Sequence, residues 1–139
     1  MWAIDDLHLP SYWFPRDCPR ATFWAGVNTT PEDAALLHGA PRVHVIEWDW
    51  WDRFHSARLF LYRLPESPFE RYDEIAGYWV AREPVEPLEV VAVPDLLNEH
   101  RRAGIELRLT ANLWTLWNRV IGSTLEFSGI RLRNAEPRR

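Results

Sequence analysis

The sequence predicts an α+β domain with a mainly antiparallel sheet and two to four short helices, and three observations carry that prediction. Segments of strand character outnumber segments of helical period. Their order along the chain is irregular rather than strictly alternating, which argues against a βαβ succession. The 11 prolines are spread along the chain and cut it into short elements. No repeat, low-complexity tract or charge block marks a linker, so residues 1–139 read as one domain.

The first 20 residues, rich in proline and rings (Pro10, Tyr12, Trp13, Phe14, Pro15, Pro19), predict an irregular segment pinned by its aromatic side chains. Residues 20–25 alternate Ala21, Phe23 and Ala25 against Thr22 and Trp24 and predict a strand. Thr30, Pro31, Glu32 and Asp33 predict a helix start: a hydroxyl cap, proline at the first helical position, and acids at the positive end of the dipole. Gly39 closes that helix. Residues 43–47 and 58–64 predict two strands, the second with both faces buried, and residues 48–55 predict a short helix between them. Residues 77–82 and 88–93 predict two more strands. Pro94 and Asp95 open a helix to Ala103, with Arg101 and Arg102 in its last turn and Gly104 as its stop. Ile105, Leu107 and Leu109 alternate with Glu106 and Arg108 in a half-buried strand. Residues 113–121 predict a helix and residues 125–133 a final strand.

Composition narrows the function. The net charge is −4, so a clustered positive surface of the kind that binds nucleic acid in general is not expected. One cysteine, Cys18, excludes an internal disulfide, and no apolar run approaches the ~20 residues of a membrane span. The first residues lack the basic and apolar regions of a signal peptide, so the cytoplasm is the expected compartment. All 16 basic residues are arginine, which codon bias explains most simply. Nine tryptophans suit both cores and ligand-stacking surfaces.

The run Phe14, Pro15, Arg16, Asp17, Cys18, Pro19 and Arg20 is distinctive. So are Trp2, Ala3, Ile4 and Asp5, then Ala76, Gly77 and Tyr78, then Gly104 to Arg108. The C-terminal run comprises Ser123, Thr124, Leu125, Phe127, Ser128, Ile130, Arg131, Arg133, Asn134 and Ala135. Together these residues resemble a family of short uncharacterised bacterial proteins, a domain of unknown function, over nearly the whole chain. The resemblance implies no activity or catalytic residue. It does imply that relatives carry an N-terminal segment with a His-bearing strand before the position of Trp2, which this chain is expected to lack. By analogy, a first-strand His, a Tyr-bearing segment and a late Glu on a small α+β domain are similar to the NAD-using ADP-ribosyl-transfer fold.

Several candidate site residues follow from the sequence. Arg16 and Arg20 flank Asp17 and Cys18 between two prolines, a stiff turn able to bind an anion, to form a local salt-bridge network, or to activate a thiol. Arg131 and Arg133 share a face if the last strand runs through them, where they bind an anion or pair with Glu106 on a neighbouring strand. The expectation is that Arg16, Arg20, Arg131 and Arg133 converge on one concave surface and bind an anionic or nucleotide-like small molecule, with Tyr12 or a Trp stacking on its ring. The enzymatic alternative places Glu106, Arg16 and either Tyr12 or Tyr78 together for ADP-ribosyl transfer, the tyrosine stacking on nicotinamide and Glu106 stabilising the oxocarbenium ion. A third reading uses exposed Trp, with Trp50 the candidate, for protein interaction or a homodimer. His8 beside Asp5 and Asp6, and His44 beside Glu47, lack metal-ligand spacing, so no metal is expected. The absence of a glycine-rich phosphate loop, a nucleophile elbow and a dinucleotide fingerprint gives no ground for a cofactor.

Overall fold

A computed structural model describes residues 1–139 and contains nine strands and four α-helices, an α+β fold dominated by antiparallel pairing. The strands are β1 (Trp2–Ile4), β2 (Arg20–Trp24), β3 (Val43–Glu47), β4 (Leu59–Arg63), β5 (Glu70–Asp73), β6 (Tyr78–Val80), β7 (Glu89–Val93), β8 (Glu106–Thr110) and β9 (Glu126–Ile130). The helices are α1 (Pro31–Ala34), α2 (Trp51–Ser56), α3 (Leu96–Ala103) and α4 (Trp114–Ile121).

The central sheet has the order β8-β3-β2-β9, with β3 and β8 parallel and the other pairs antiparallel. Residue alternation gives it two apolar layers. Ala21, Phe23, Val43 and Val45 face Leu36, Leu37, Val120 and Leu125 on one side. On the other side, Ile46 joins Phe14, Cys18, Phe54, Val93 and Leu96. A three-stranded sheet, β1-β6-β5, and a two-stranded ribbon, β4-β7, lie outside this centre.

The helix ends follow the local chemistry. Thr30 Oγ1 accepts from the Asp33 amide and Asp95 Oδ1 from the Asn98 amide. Gly104, at φ 70°, ends α3 in the left-handed conformation that only glycine adopts without strain. The Glu47 carboxylate, almost fully buried, accepts from the Leu113 amide at the start of α4 and from the Glu136 amide in the C-terminal tail. No helix is long and apolar enough to cross a membrane.

The structure departs from the sequence expectations at definite places. The β4 strand is not buried on both faces: Leu59 and Leu61 pack toward the core, whereas Phe60 and Tyr62 are exposed, because nothing covers the outer face of the ribbon. The last strand stops at Ile130. Arg131 takes φ 56°, and Leu132–Asn134 form a 3-10 turn, so Arg131 and Arg133 do not alternate along a strand. Strands β8 and β9 occupy opposite edges of the central sheet, which removes any cross-strand pairing of Glu106 with those arginines. Trp48, not Trp50, is the exposed indole of its run; Trp50 packs on the Phe14–Phe54 cluster under the Arg53 guanidinium.

Candidate functional site

The site is built outward from Arg20. A tight turn, with the Cys18 amide donating to Pro15 O, delivers the chain into β2 so that the Arg20 side chain points inward, where only 2% of the residue is exposed. Its Nε donates to Ser11 O at 3.1 Å and its Nη1 to Cys18 O at 3.0 Å. The guanidinium carbon lies 5.2 Å from the ring centres of both Tyr12 and Phe14. No carboxylate pairs with it, and burial pushes its pKa down to about 10. Two carbonyls and two rings therefore hold one cation in a fixed direction.

The second group of arginines arrives through the sheet. In the β2–β9 ladder Arg20 stands opposite Ile130, so the chain leaves β9 beside the start of β2. The left-handed turn at Arg131 redirects it, and Asn134 Nδ2 donates to Asp17 O at 2.8 Å, tying the C-terminal turn to the 16–20 turn. Arg16, Arg20, Arg131 and Arg133 consequently line one cavity of about 570 Å³. Its other walls are Tyr12, Phe14, Leu59, Phe60, Leu61, Tyr78, Gly129 and Ile130. No acidic residue lies on these walls, and none of the four arginines takes part in an ion pair within the chain. A smaller cavity of about 270 Å³ is different: its walls balance Arg71 and Arg82 against Glu70 and Glu83.

The Tyr12 and Tyr78 hydroxyls meet at 2.9 Å beside the arginines. Burial, and then the bond to Tyr78, raise the Tyr12 hydroxyl above its ordinary range, so it stays protonated. The cavity walls thus combine four arginines with apolar and aromatic side chains.

Three sequence candidates lie elsewhere. Cys18 is fully buried in the second apolar layer, its thiol close to Pro19 O, and burial pushes its pKa up to about 12 against the opposing pull of Arg20 and Arg53. It is a packing residue, since the thiolate form is negligible at neutral pH. Asp17 sits in the turn that Asn134 binds, but off the cavity walls. Glu106 is on the opposite edge strand, where its Oε1 accepts from Arg108 Nε at 2.6 Å. The combination of Glu106, tyrosine and Arg16 that ADP-ribosyl transfer requires is therefore not assembled.

Sequence reasoning missed Phe60, a cavity residue, because β4 reads as a buried strand. It also missed a buried imidazole pair beneath the site. His44 and His100 meet at 2.8 Å through Nδ1 and Nε2, while His100 Nδ1 lies 2.7 Å from Leu96 O. With both rings neutral, His100 donates to Leu96 and accepts from His44, which leaves His44 Nε2 as a buried atom without a partner. Burial drives both rings toward the neutral form, for His44 together with the neighbouring His100 and Arg42. The partners come from β3 and α3 and carry no sequence signal of contact. No group of three or more His, Cys, Asp or Glu side chains gathers in a metal-binding arrangement.

Comparison with curated proteins and with solved structures finds no match. Residues 1–135 match a family described as a family of unknown function (DUF6886), and the chain belongs to that family.

Proposed function

We propose that the protein binds an anionic small molecule that carries a ring or other apolar part, with Arg16, Arg20, Arg131 and Arg133 contacting the anion. The observation that carries this reading is the set of four guanidiniums on one cavity with no carboxylate among its walls. Like charges brought together repel, and a buried guanidinium loses its hydration; an anion offsets both costs. Arginine forks suit phosphate and carboxylate oxygens, and the adjoining Tyr12, Tyr78, Phe60 and Leu61 suit a ring. The cavity volume falls in the range of small-molecule sites.

A thermal-shift screen of the whole chain against phosphate, pyrophosphate, nucleotides and aromatic carboxylates tests the reading. A ligand of the native state raises the melting temperature in proportion to the logarithm of its concentration above its Kd. The expected result is a rise with ring-bearing anions that Arg131→Met abolishes. Equal shifts in the wild type and in Arg131→Met would mean that the arginine cluster does not hold the anion.

A further inference from the structure

We infer that the ligand of this cavity is a nucleoside diphosphate, its phosphates held directly by the arginines without a divalent cation and its base stacked on Phe60. This rests on the reading of the cavity as an anion site and adds its ligand class.

Charge points to the phosphates. Four guanidiniums on the walls of one cavity match a group that concentrates several negative charges over a few atoms, as a diphosphate does with about three at neutral pH. Phosphate oxygens accept the parallel donors of a guanidinium fork, and several arginines can share one diphosphate. Magnesium, by contrast, seeks carboxylate oxygens, and the walls offer none. A cation carried in with the nucleotide would stand among four positive charges. The arginines themselves therefore perform the neutralisation that a metal performs in many nucleotide sites.

Arg20 gives the phosphate end its direction. Nε and Nη1 are committed to Ser11 O and Cys18 O, whereas Nη2 has no protein partner, so the residue offers one fixed donor. Little conformational freedom remains for binding to remove.

The rings divide by occupancy. Tyr12 and Phe14 already flank the Arg20 guanidinium, and Tyr78 is engaged with Tyr12 and stands edge-on to Trp2. Phe60 is 62% exposed on the cavity wall, on a ribbon face that nothing in the chain covers. It is the aromatic face left for a base, and base-on-ring stacking is largely indifferent to base identity.

Calorimetric titration of the whole chain with ADP, AMP and inorganic pyrophosphate, in EDTA and in excess magnesium, tests the inference in the wild type and in Phe60→Leu. The expected order in EDTA is ADP tighter than AMP and tighter than pyrophosphate, with magnesium weakening ADP. Phe60→Leu should weaken ADP roughly tenfold and leave pyrophosphate unchanged. A requirement for magnesium, or equal effects of Phe60→Leu on ADP and pyrophosphate, would overturn the inference. If pyrophosphate binds but ADP binds no better than pyrophosphate, the nucleotide assignment fails while the anion reading stands. If no anion binds, both fail.

Discussion

Arg20 and Ile130 stand directly opposite one another in the antiparallel β2–β9 ladder, and this one pairing brings the two ends of the chain to a common cavity. Arg20 opens β2 and Ile130 closes β9, so the turns before the one and after the other are neighbours in space. The Asn134 bond to Asp17 O fixes their separation. Four arginines thus face one space through backbone pairing rather than through ion pairs of their own.

The two groups of arginines are expected to differ sharply in stability effect. Arg20→Met strands the Ser11 and Cys18 carbonyls inside the protein and should cost about 2–4 kcal/mol. Arg131→Met preserves the left-handed turn, because methionine has the same backbone demands as arginine, and should stay within about 0.5 kcal/mol. Urea unfolding of both variants measures the contrast; equal losses would mean that the Arg20 clamp contributes nothing.

Cys18 should resist thiol reagents in the folded protein. Its thiol, pushed up to about 12, is almost entirely protonated at neutral pH, and its sulfur is sealed in the core. Labelling is expected only as fast as the protein opens, and to speed up in urea. Rapid labelling under native conditions contradicts this environment.

Acid should weaken the fold through His44 and His100. The unfolded chain protonates both rings near their ordinary value of 6.5, whereas the folded state keeps them neutral to lower pH. The unfolded state then binds more protons, so this contribution is complete above about pH 7 and is lost as pH falls below 6.5, with a limiting slope of about 1.4 kcal/mol per pH unit for each ring. An NMR titration of the two ring signals checks it directly. Midpoints at or above 6.5 would contradict the buried neutral pair.

The tryptophan run should split by position. Trp48, 57% exposed, can become alanine at a cost within about 0.5 kcal/mol, whereas Trp50→Ala removes packing from the Phe14–Phe54 cluster and the Arg53 contact and should cost about 2 kcal/mol. Melting of the two variants separates them, and the reverse order would move Trp50 to the surface.

Local signals made much of this fold legible. Residues 43–47 read as a strand because three of the five are the β-branched Val43, Val45 and Ile46, and α1 and α3 read as helices because Thr30 with Pro31, and Asp95 with Gly104, mark their ends. The edge strand β5 escaped notice: all four of its residues are exposed, so no apolar alternation betrays it. The end of β9 at Ile130 depends on a left-handed arginine, a conformation that residue type does not announce. At the site, the arginines stood out by their chemistry, but Glu106 was misplaced because strand order is a long-range property: β8 pairs with β3, and β9 with β2. Phe60 went unseen for a related reason, since only the tertiary arrangement shows that the outer face of the β4–β7 ribbon is bare.

Binding of an anion by the four arginines is tested most directly by the affinity of the whole chain for pyrophosphate, titrated calorimetrically at several salt concentrations in the wild type and in Arg131→Met. Measurable binding that weakens steadily with added salt is expected, with an affinity at least about tenfold lower in Arg131→Met at an unchanged melting temperature. Absence of binding at low salt, or the same affinity in both proteins, would contradict it.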